Sequence, residues 1–159
     1  MLSVVNCLLS IFVLMINIIY PEPQFRIKKE ENNDFIFDKL RKKWLLLTPE
    51  EWVRQSFVQY LIEVKKYPST LIALEKEIQL GELKKRFDVL IYDVDHKPWM
   101  MIECKGAEIK LNDAVLQQAL RYNISVPVKY IIITNGNLTY GWQKINGNLD
   151  LINDLPFLL

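Results

Sequence analysis

Three charged residues on two strand-like segments have the types and spacing that metal-dependent phosphodiester chemistry needs. Glu103 and Lys105 are two positions apart, so their side chains lie on the same face of a strand. Asp88 stands on the preceding segment. An even-length turn centred between Asp95 and His96 gives a register in which paired residue numbers sum to 191. That register places Asp88 opposite Glu103, with their Cβ atoms roughly 5 Å apart.

Two carboxylates that face each other across a sheet repel, and a divalent cation between them removes the conflict. Mg²⁺ suits this site because it takes oxygen ligands, usually with one or two carboxylates, and Mn²⁺ could substitute. Lys105 would then act where charge develops on a phosphate, or would help to deprotonate an attacking water. A simpler interpretation stays open, because E-x-K at alternate positions is also a common pairing on solvated strand faces.

Helix signals stand on both sides of these strands. Thr48 is typical of an N-cap, with proline at N1 and Glu51 closing a capping box, and this helix is predicted to run to about Lys65. A second helix is predicted over residues 112–123. The apolar spacing in FIFDKLRKKW predicts a further helix over residues 35–44.

Strand signals occupy the remainder of the chain. They are predicted, from β-branched and aromatic content and from turn residues, at Leu71–Leu80, Phe87–Val94, Trp99–Lys105, Val128–Thr134 and Leu138–Lys144. The short links between the first three predict an antiparallel meander, and the helix after Lys105 predicts a crossover to a parallel neighbour. The fold class is therefore α/β: a mixed sheet flanked by helices.

Charge and composition limit the function further. The 159 residues fit one domain, and 20 basic against 19 acidic residues give a net charge of +1. That balance argues against binding nucleic acid through bulk charge alone, although 84–86 (KKR) is a local basic run. One histidine excludes a histidine-rich zinc site. The two cysteines have no metal or redox spacing, which favours a cytoplasmic location.

The N-terminus is an uncharged, apolar stretch over residues 2–19. It could just span a bilayer, which needs roughly 20 apolar residues, but it lacks the positive start and the cleavage site of a secretory signal. The first basic residue, Arg26, follows the stretch, so an anchor would leave the rest in the cytoplasm. Two interpretations stay open: a mis-assigned start, with Met15 as the true beginning, and a membrane anchor. The domain itself is predicted over residues 20–159.

Five short segments, taken in order, resemble the PD-(D/E)XK nuclease superfamily. More narrowly, they resemble the N-terminal nuclease domain of type I restriction enzyme R subunits and its free-standing bacterial relatives. The segments are 48–55 (TPEEWVRQ), 85–88 (KRFD), 102–105 (IECK), 118–123 (QALRYN) and 134–136 (TNG). The resemblance covers roughly residues 20–142 and departs from the superfamily pattern at Phe87, which stands where proline is common.

The resemblance implies a restriction-endonuclease-like mixed sheet with an αβββαβ core and Mg²⁺-dependent cleavage of DNA phosphodiester bonds. It implies Asp88 and Glu103 as metal ligands and Lys105 as the catalytic lysine. Gln118 would orient the lysine or the substrate, and Tyr122, one helical turn further on, would support it.

Other charged residues have two interpretations each. Glu51 matches the first-helix acid of the superfamily and would complete the metal site, but it is also the third residue of a capping box. Glu75 is typical of a solvated strand face. In its second interpretation it contacts the metal ligands without binding the metal itself. Arg54 and Gln55 could contact a phosphate, and the simpler expectation is a pair on the helix surface.

Two functions stay open at this point. One is a DNA endonuclease of a restriction, defence or repair system. The other is a non-catalytic nucleic-acid-binding or assembly module that retains the fold. Two facing carboxylates favour the first, because an idle site has no physical reason to keep them. In the type I enzymes that the chain resembles, a motor domain delivers the DNA, so DNA and a motor or specificity subunit are the expected partners, with a homodimer also open.

Overall fold

A computed structural model describes residues 15–158 of the protein, apart from the side chains of residues 80 and 83. Over these residues the chain forms two sheets and two α-helices. The small antiparallel sheet has the order β1-β2-β3, with bounds Ile27–Glu30, Asn33–Asp38 and Lys43–Leu46. Helix α1 spans Pro49–Glu63 and helix α2 spans Asp113–Asn123, and Ser69–Leu71 form a short 3-10 helix.

The large sheet contains six described strands in the order β4-β5-β6-β7-β8-β9. Their bounds are Ile72–Leu80, Leu83–Tyr92, Pro98–Cys104, Tyr130–Thr134, Thr139–Ile145 and Asn148–Ile152. β6 and β7 are parallel across the crossover helix α2, and the other neighbours are antiparallel. The sequence of α1, β4, β5, β6, α2 and β7 is the predicted αβββαβ core, and the restriction-endonuclease-like fold class is confirmed.

The two helices cover opposite faces of this sheet. Phe57 and Leu61 of α1 lie in one apolar cluster with Ile132 of β7, while Leu120 of α2 lies in a second cluster with Ile131. Successive residues of β7 therefore point to different helices, which is why the YIIIT strand is apolar at nearly every position and wholly buried. The two clusters pack on opposite faces of β5 and β6. This packing fixes the position of the polar ends of these two strands.

Both helices begin where they were predicted, and each has a side-chain N-cap. The Thr48 hydroxyl accepts a hydrogen bond from the Glu51 backbone N–H at 3.0 Å, and the Asn112 side-chain oxygen accepts one from the Val115 N–H at 3.0 Å. The first helix ends at Glu63, slightly before the predicted Lys65. Local capping chemistry thus sets the starts of both helices that flank the site.

The predicted helix over residues 35–44 is wrong. These residues form β2, a tight turn and β3. The carboxylate of Asp38 accepts hydrogen bonds from the backbone N–H groups of Leu40 and Arg41, both at 2.8 Å, and Lys42 adopts a positive φ of 52°. An aspartate that bonds the backbone two and three residues on competes with helix and favours a turn.

The packed domain begins earlier than residue 20. Ile16 is buried in the α1 cluster, and its backbone N–H donates to the Thr139 carbonyl at 2.9 Å. Part of the stretch interpreted as an apolar lead, residues 15–19, is therefore built onto the sheet. Residues 1–14, where the start and anchor interpretations mainly fall, lie outside the described residues. No helix among the described residues is long and apolar enough to cross a membrane.

The β5–β6 register agrees with the prediction where it matters. Val89 pairs with Ile102 and Ile91 with Met100, so each pair sums to 191. The predicted even turn is wrong, because Tyr92 pairs with Pro98 and the ladder shifts by one residue beside the turn. Asp93 causes this: its carboxylate accepts from backbone N–H groups inside the loop.

Candidate active site

A cleft of about 170 Å³ at one end of the β5–β6 pair brings Asp88, Glu103 and Lys105 together. Glu103 is the second-last residue of β6. Lys105 continues the strand, since its backbone N–H donates to the Thr134 carbonyl of β7 at 2.8 Å. The predicted triad therefore shares one surface. The cleft is further lined by Glu50, Arg86, Phe87, Tyr122 and Asn123.

Asp88 stands where the side-chain alternation of β5 is interrupted. Phe87 packs in the α2 cluster and Val89 in the α1 cluster, although the two are only two residues apart. One carboxylate oxygen of Asp88 accepts from the Cys104 backbone N–H at 2.8 Å, and the other faces the Arg54 guanidinium at 3.4 Å. The carboxylate is thus fixed across the gap between β5 and β6.

Glu103 is held from two sides. Its Oε1 pairs with Lys105 Nζ at 2.7 Å, and its Oε2 accepts from the Asn123 side-chain amide at 3.0 Å. Asn123 is buried at the end of α2, and the same amide also donates to the Ala119 carbonyl at 2.9 Å. Asn123 is the last residue of the QALRYN segment, and nothing in its spacing predicts a role in the site. The structure makes it the link between α2 and Glu103.

Lys105 is a stable cation in this arrangement. Burial alone would lower the pKa of its amine, but the hydrogen bond and charge of Glu103, with the charges of Asp88 and Glu50, raise that pKa above its ordinary value. A protonated amine beside two acids can donate to an anionic substrate. It cannot accept a proton until it loses its own.

The first helix contributes Glu50 to the cleft, whereas the Glu51 side chain points to the residues behind it. Both oxygens of the Glu51 carboxylate are engaged, by Arg41 at 2.9 Å, by Gln55 at 2.8 Å and by Arg54. Glu51 therefore neither lines the cleft nor returns to cap the helix with its side chain. The structure therefore places Glu50 and not Glu51 at the cleft, and the metal-binding role of Glu51 stays a prediction without a contact at the cleft to support it. The sequence does not specify which side of α1 packs against the sheet.

Glu50 has the electrostatics of a site residue. Burial raises the pKa of its carboxyl, and the nearby Asp88 charge raises it further. Glu50 pairs with the Arg54 guanidinium at 3.0 Å, which opposes the shift. Three carboxylates, those of Glu50, Asp88 and Glu103, consequently line the same cleft.

Gln118 and Tyr122 both lie beside the site on α2. Gln118 is exposed and lines a groove next to Lys105, and no hydrogen bond from its side chain occurs among the described residues. The Tyr122 ring covers the amine of Lys85 at 3.8 Å, and the Tyr122 carbonyl accepts from the same amine. Tyr122 thus lines the cleft and Gln118 lines the adjoining groove, and the roles assigned to both remain predictions.

Behind the cleft lies a buried ionic group, the arginine cluster, formed by Asp38, Arg41, Glu51, Arg54, Gln55 and Glu75. Arg54 and Gln55 are buried, so the expected helix-surface pair is wrong. Burial would lower the pKa of Arg54, but the charges of Glu51 and Asp88 raise it. The cluster joins the small sheet to α1 and β4, and through Arg54 it reaches Asp88.

The oxygen donors of the cleft fit a hard divalent cation by their chemistry. Mg²⁺ commonly uses one or two protein carboxylates and keeps several waters, and Asp88 and Glu103 supply two. Between residues 15 and 158 there is no cluster of three or more His, Cys, Asp or Glu side chains arranged to hold a metal ion. The arrangement is a pair of acids already hydrogen-bonded by the protein, with a third acid at the edge.

Comparison with known families gives one match. A model of the N-terminus of type I restriction enzyme R proteins matches residues 49–156, from the first residue of α1 to beyond β9. No curated protein matches the chain significantly. The matched region includes Asp88, Glu103 and Lys105, and the small sheet β1–β3 precedes it.

Proposed function

The chain belongs to the family of type I restriction enzyme R protein N-terminal domains, and from that membership we propose that it is a Mg²⁺-dependent DNA endonuclease domain. A nuclease-like role in restriction follows from the family. The metal, the DNA substrate and the residue roles are our proposal. Its partners would be DNA and a motor or specificity subunit of a restriction system.

One observation supports the proposal above the others. Asp88, Glu103 and Lys105 meet in one solvent-accessible cleft, in the register that an antiparallel strand pair dictates. These side chains carry charges of both signs and lie at the ends of adjacent strands, close to the helix that supplies Glu50. Together they form a surface that a phosphodiester can reach. The ion pairs that Asp38 makes with Arg41 and Glu51 makes with Arg54, behind the cleft, are by contrast buried.

Each residue then has a defined task. Asp88 and Glu103 would hold the cation, which when bound polarises the phosphate and lowers the pKa of a coordinated water. Lys105 would place its positive charge on the phosphate, because its raised pKa keeps the amine protonated. Asn123 would keep the Glu103 carboxylate in position, and Gln118 would contact the substrate beside Lys105.

A nicking assay tests the proposal. Purified protein is incubated with supercoiled plasmid and with single-stranded DNA, in Mg²⁺ or Mn²⁺, beside a Lys105→Ala variant. We expect divalent-dependent nicking that falls about 10²- to 10³-fold in the variant, the size typical of losing one preorganised transition-state contact. Lys97→Ala, an exposed lysine at the opposite end of β6, is the matched control. Equal rates for Lys105→Ala and wild type would contradict the proposal.

A second function is supported by a specific observation. Asp88 and Glu103 have their carboxylates satisfied by Cys104, Arg54, Lys105 and Asn123, as in a site that no longer takes a metal. A domain of this kind would bind nucleic acid or a restriction subunit without cleaving. Binding of DNA with no nicking in either metal, and no effect of either metal on thermal stability, would favour this function over the nuclease.

A further inference from the structure

We propose that the outer face of the small sheet is a binding surface for single-stranded nucleic acid, separate from the cleft. This basic aromatic face consists of Arg26, Lys28, Phe35, Phe37 and Trp44. It lies in the part of the chain that precedes the family match, and no residue of the proposed catalytic set belongs to it. The inference rests on the proposed function only in taking nucleic acid as the partner.

Strand alternation separates this face from the interior. In β2, Ile36 and Asp38 are fully buried, whereas Phe35 and Phe37 on the other face are half-buried. Trp44 of β3 pairs with Phe37 across the sheet, and their rings meet edge to face at 5.3 Å. Within residues 15–158, this sheet therefore buries one side and leaves three aromatic rings partly accessible on the other.

Cations are interleaved with these rings. Lys28 Nζ lies 4.7 Å from the centre of the Trp44 ring, and the Arg26 guanidinium lies 4.7 Å from the Phe37 ring. The Lys28 amine also pairs with Glu30 at 2.6 Å. A strand whose phosphates pair with Arg26 and replace Glu30 at Lys28 would bring its bases against the same rings. Basic grooves with aromatic stacking positions are the chemistry by which proteins hold single strands without sequence preference.

The charge distribution of the chain favours the same partner. Residues 26–46 contain seven basic and four acidic residues, against 20 and 19 in the whole chain, so the remainder has two more acidic than basic residues. One of the four acids, Asp38, is buried and paired with Arg41. The near-neutral chain thus concentrates its positive charge on the small sheet and its turns, which complements a polyanion.

The small sheet that carries this face is joined to the wall of the cleft through one carboxylate. Glu75 Oε2 pairs at 2.7 Å with Arg41, in the β2–β3 turn, and at 2.7 Å with Arg86, which lines the cleft. The small sheet is therefore fixed to the cleft wall.

Binding of a fluorescein-labelled single-stranded oligodeoxythymidylate, followed by anisotropy in EDTA over a range of KCl concentrations, tests the proposal without cleavage. In the double variant Arg26→Gln/Lys28→Gln we expect weaker binding, with the slope of log affinity against log salt reduced by about 0.7 for each lost phosphate contact. The matched control is Lys66→Gln/Lys97→Gln, which removes two exposed lysines outside the small sheet and should keep the wild-type slope.

Tryptophan emission supplies a second measurement. We expect the oligonucleotide to quench emission in the wild type and to quench it much less in Trp44→Phe, which keeps a ring in the sheet. A salt slope and an affinity equal to those of the wild type in the double variant would overturn the proposal. If that variant also loses self-association in sedimentation, the face is a contact between copies of the chain and not a nucleic-acid surface. An Asp88→Asn variant that binds normally in EDTA but does not nick separates this inference from the nuclease proposal.

Discussion

The cleft and the arginine cluster use the same residue types in opposite ways. In the interior of the cluster, the side chains of Asp38, Glu51 and Arg54 are 0%, 8% and 5% exposed. Every acid of the cluster has an arginine partner, and Glu75, at the edge, is the more exposed one at 28%. In the cleft, the side chains of Asp88 and Glu103 are 26% and 21% exposed. Buried charges must be paired to be tolerated, so the cluster is explained by stability alone. The cleft leaves charge accessible, and accessible charge is what a substrate or a cation needs.

Replacing Arg54, whose guanidinium joins the cluster to the cleft, should have the largest effect on stability. Arg54 contacts Glu50, Glu51, Glu75 and Asp88. Arg54→Leu removes the cation that these four acids share and leaves the buried Glu51 with Arg41 alone, so it should lower the free energy of unfolding by about 3–5 kcal/mol. Urea denaturation measures it.

Arg86→Leu is the matched control for that experiment, since Arg86 pairs with Glu75 as Arg54 does but is 61% exposed. Its loss should change stability by no more than about 1 kcal/mol. Similar losses for the two variants would mean that burial does not distinguish the cluster from the surface.

The fold could be predicted from sequence where local and tertiary signals agree. The caps at Thr48 and Asn112 and the apolar run of β7 each determine their element through short-range chemistry, and the structure has all three. The error at residues 35–44 has the opposite cause. Apolar residues at a spacing of four predict a helix, but the backbone hydrogen bonds of Asp38 override that pattern and make a turn.

The site could be predicted in part for the same reason. Asp88, Glu103 and Lys105 follow from strand alternation and register, which are local rules. The choice of Glu50 over Glu51 and the role of Asn123 depend on how α1 and α2 sit against the sheet. No spacing in the sequence contains that information, because it is set by the packing of whole apolar clusters.

A cation should act on the cleft and leave the cluster unaffected. Mg²⁺ or Mn²⁺ at a hundredfold excess over its dissociation constant should stabilise the fold by about 2.7 kcal/mol, through binding to the folded state alone. A thermal melt with and without the ion measures the shift. In Asp88→Asn the shift should vanish, and an equal shift in that variant would place the cation elsewhere.

The hydrogen bond from α2 to Glu103 should contribute less. Asn123→Leu keeps the side-chain size but removes the donor to a charged acceptor, and it should cost about 2 kcal/mol of stability. If Asn123 positions Glu103, the metal-dependent shift in melting temperature should also shrink. Gln117→Leu, an exposed amide on the same helix, should change neither quantity. A stability loss with an unchanged metal shift would make Asn123 a packing residue only.

The smallest expected effect concerns the pH dependence of two glutamates on either side of Arg54. Burial and the Asp88 charge raise the pKa of Glu50, so the folded state binds its proton more tightly than the unfolded state does. The penalty of ionising Glu50 therefore appears as pH rises through the ordinary value of 4.5 and is complete above the raised pKa. Glu50→Gln should accordingly raise the melting temperature slightly at neutral pH in EDTA, with no gain below the ordinary value.

Glu75 should show the opposite sign. Burial opposes ionisation there too, but the hydrogen bond from Arg86 and the charges of Arg54 and Arg41 lower its pKa. The stability that Glu75 contributes is present above the ordinary value of 4.5 and is lost as pH falls through the lowered pKa. Glu75→Gln should thus lower the melting temperature at neutral pH, and the loss should shrink in acid. Both effects are small because the two side chains are 47% and 28% exposed and solvent screens them. If Glu50→Gln and Glu75→Gln changed the melting temperature at neutral pH in the same direction, the cleft and the cluster would form one electrostatic unit. The accessible acids would then be stabilised by ion pairs in the same way as the buried ones.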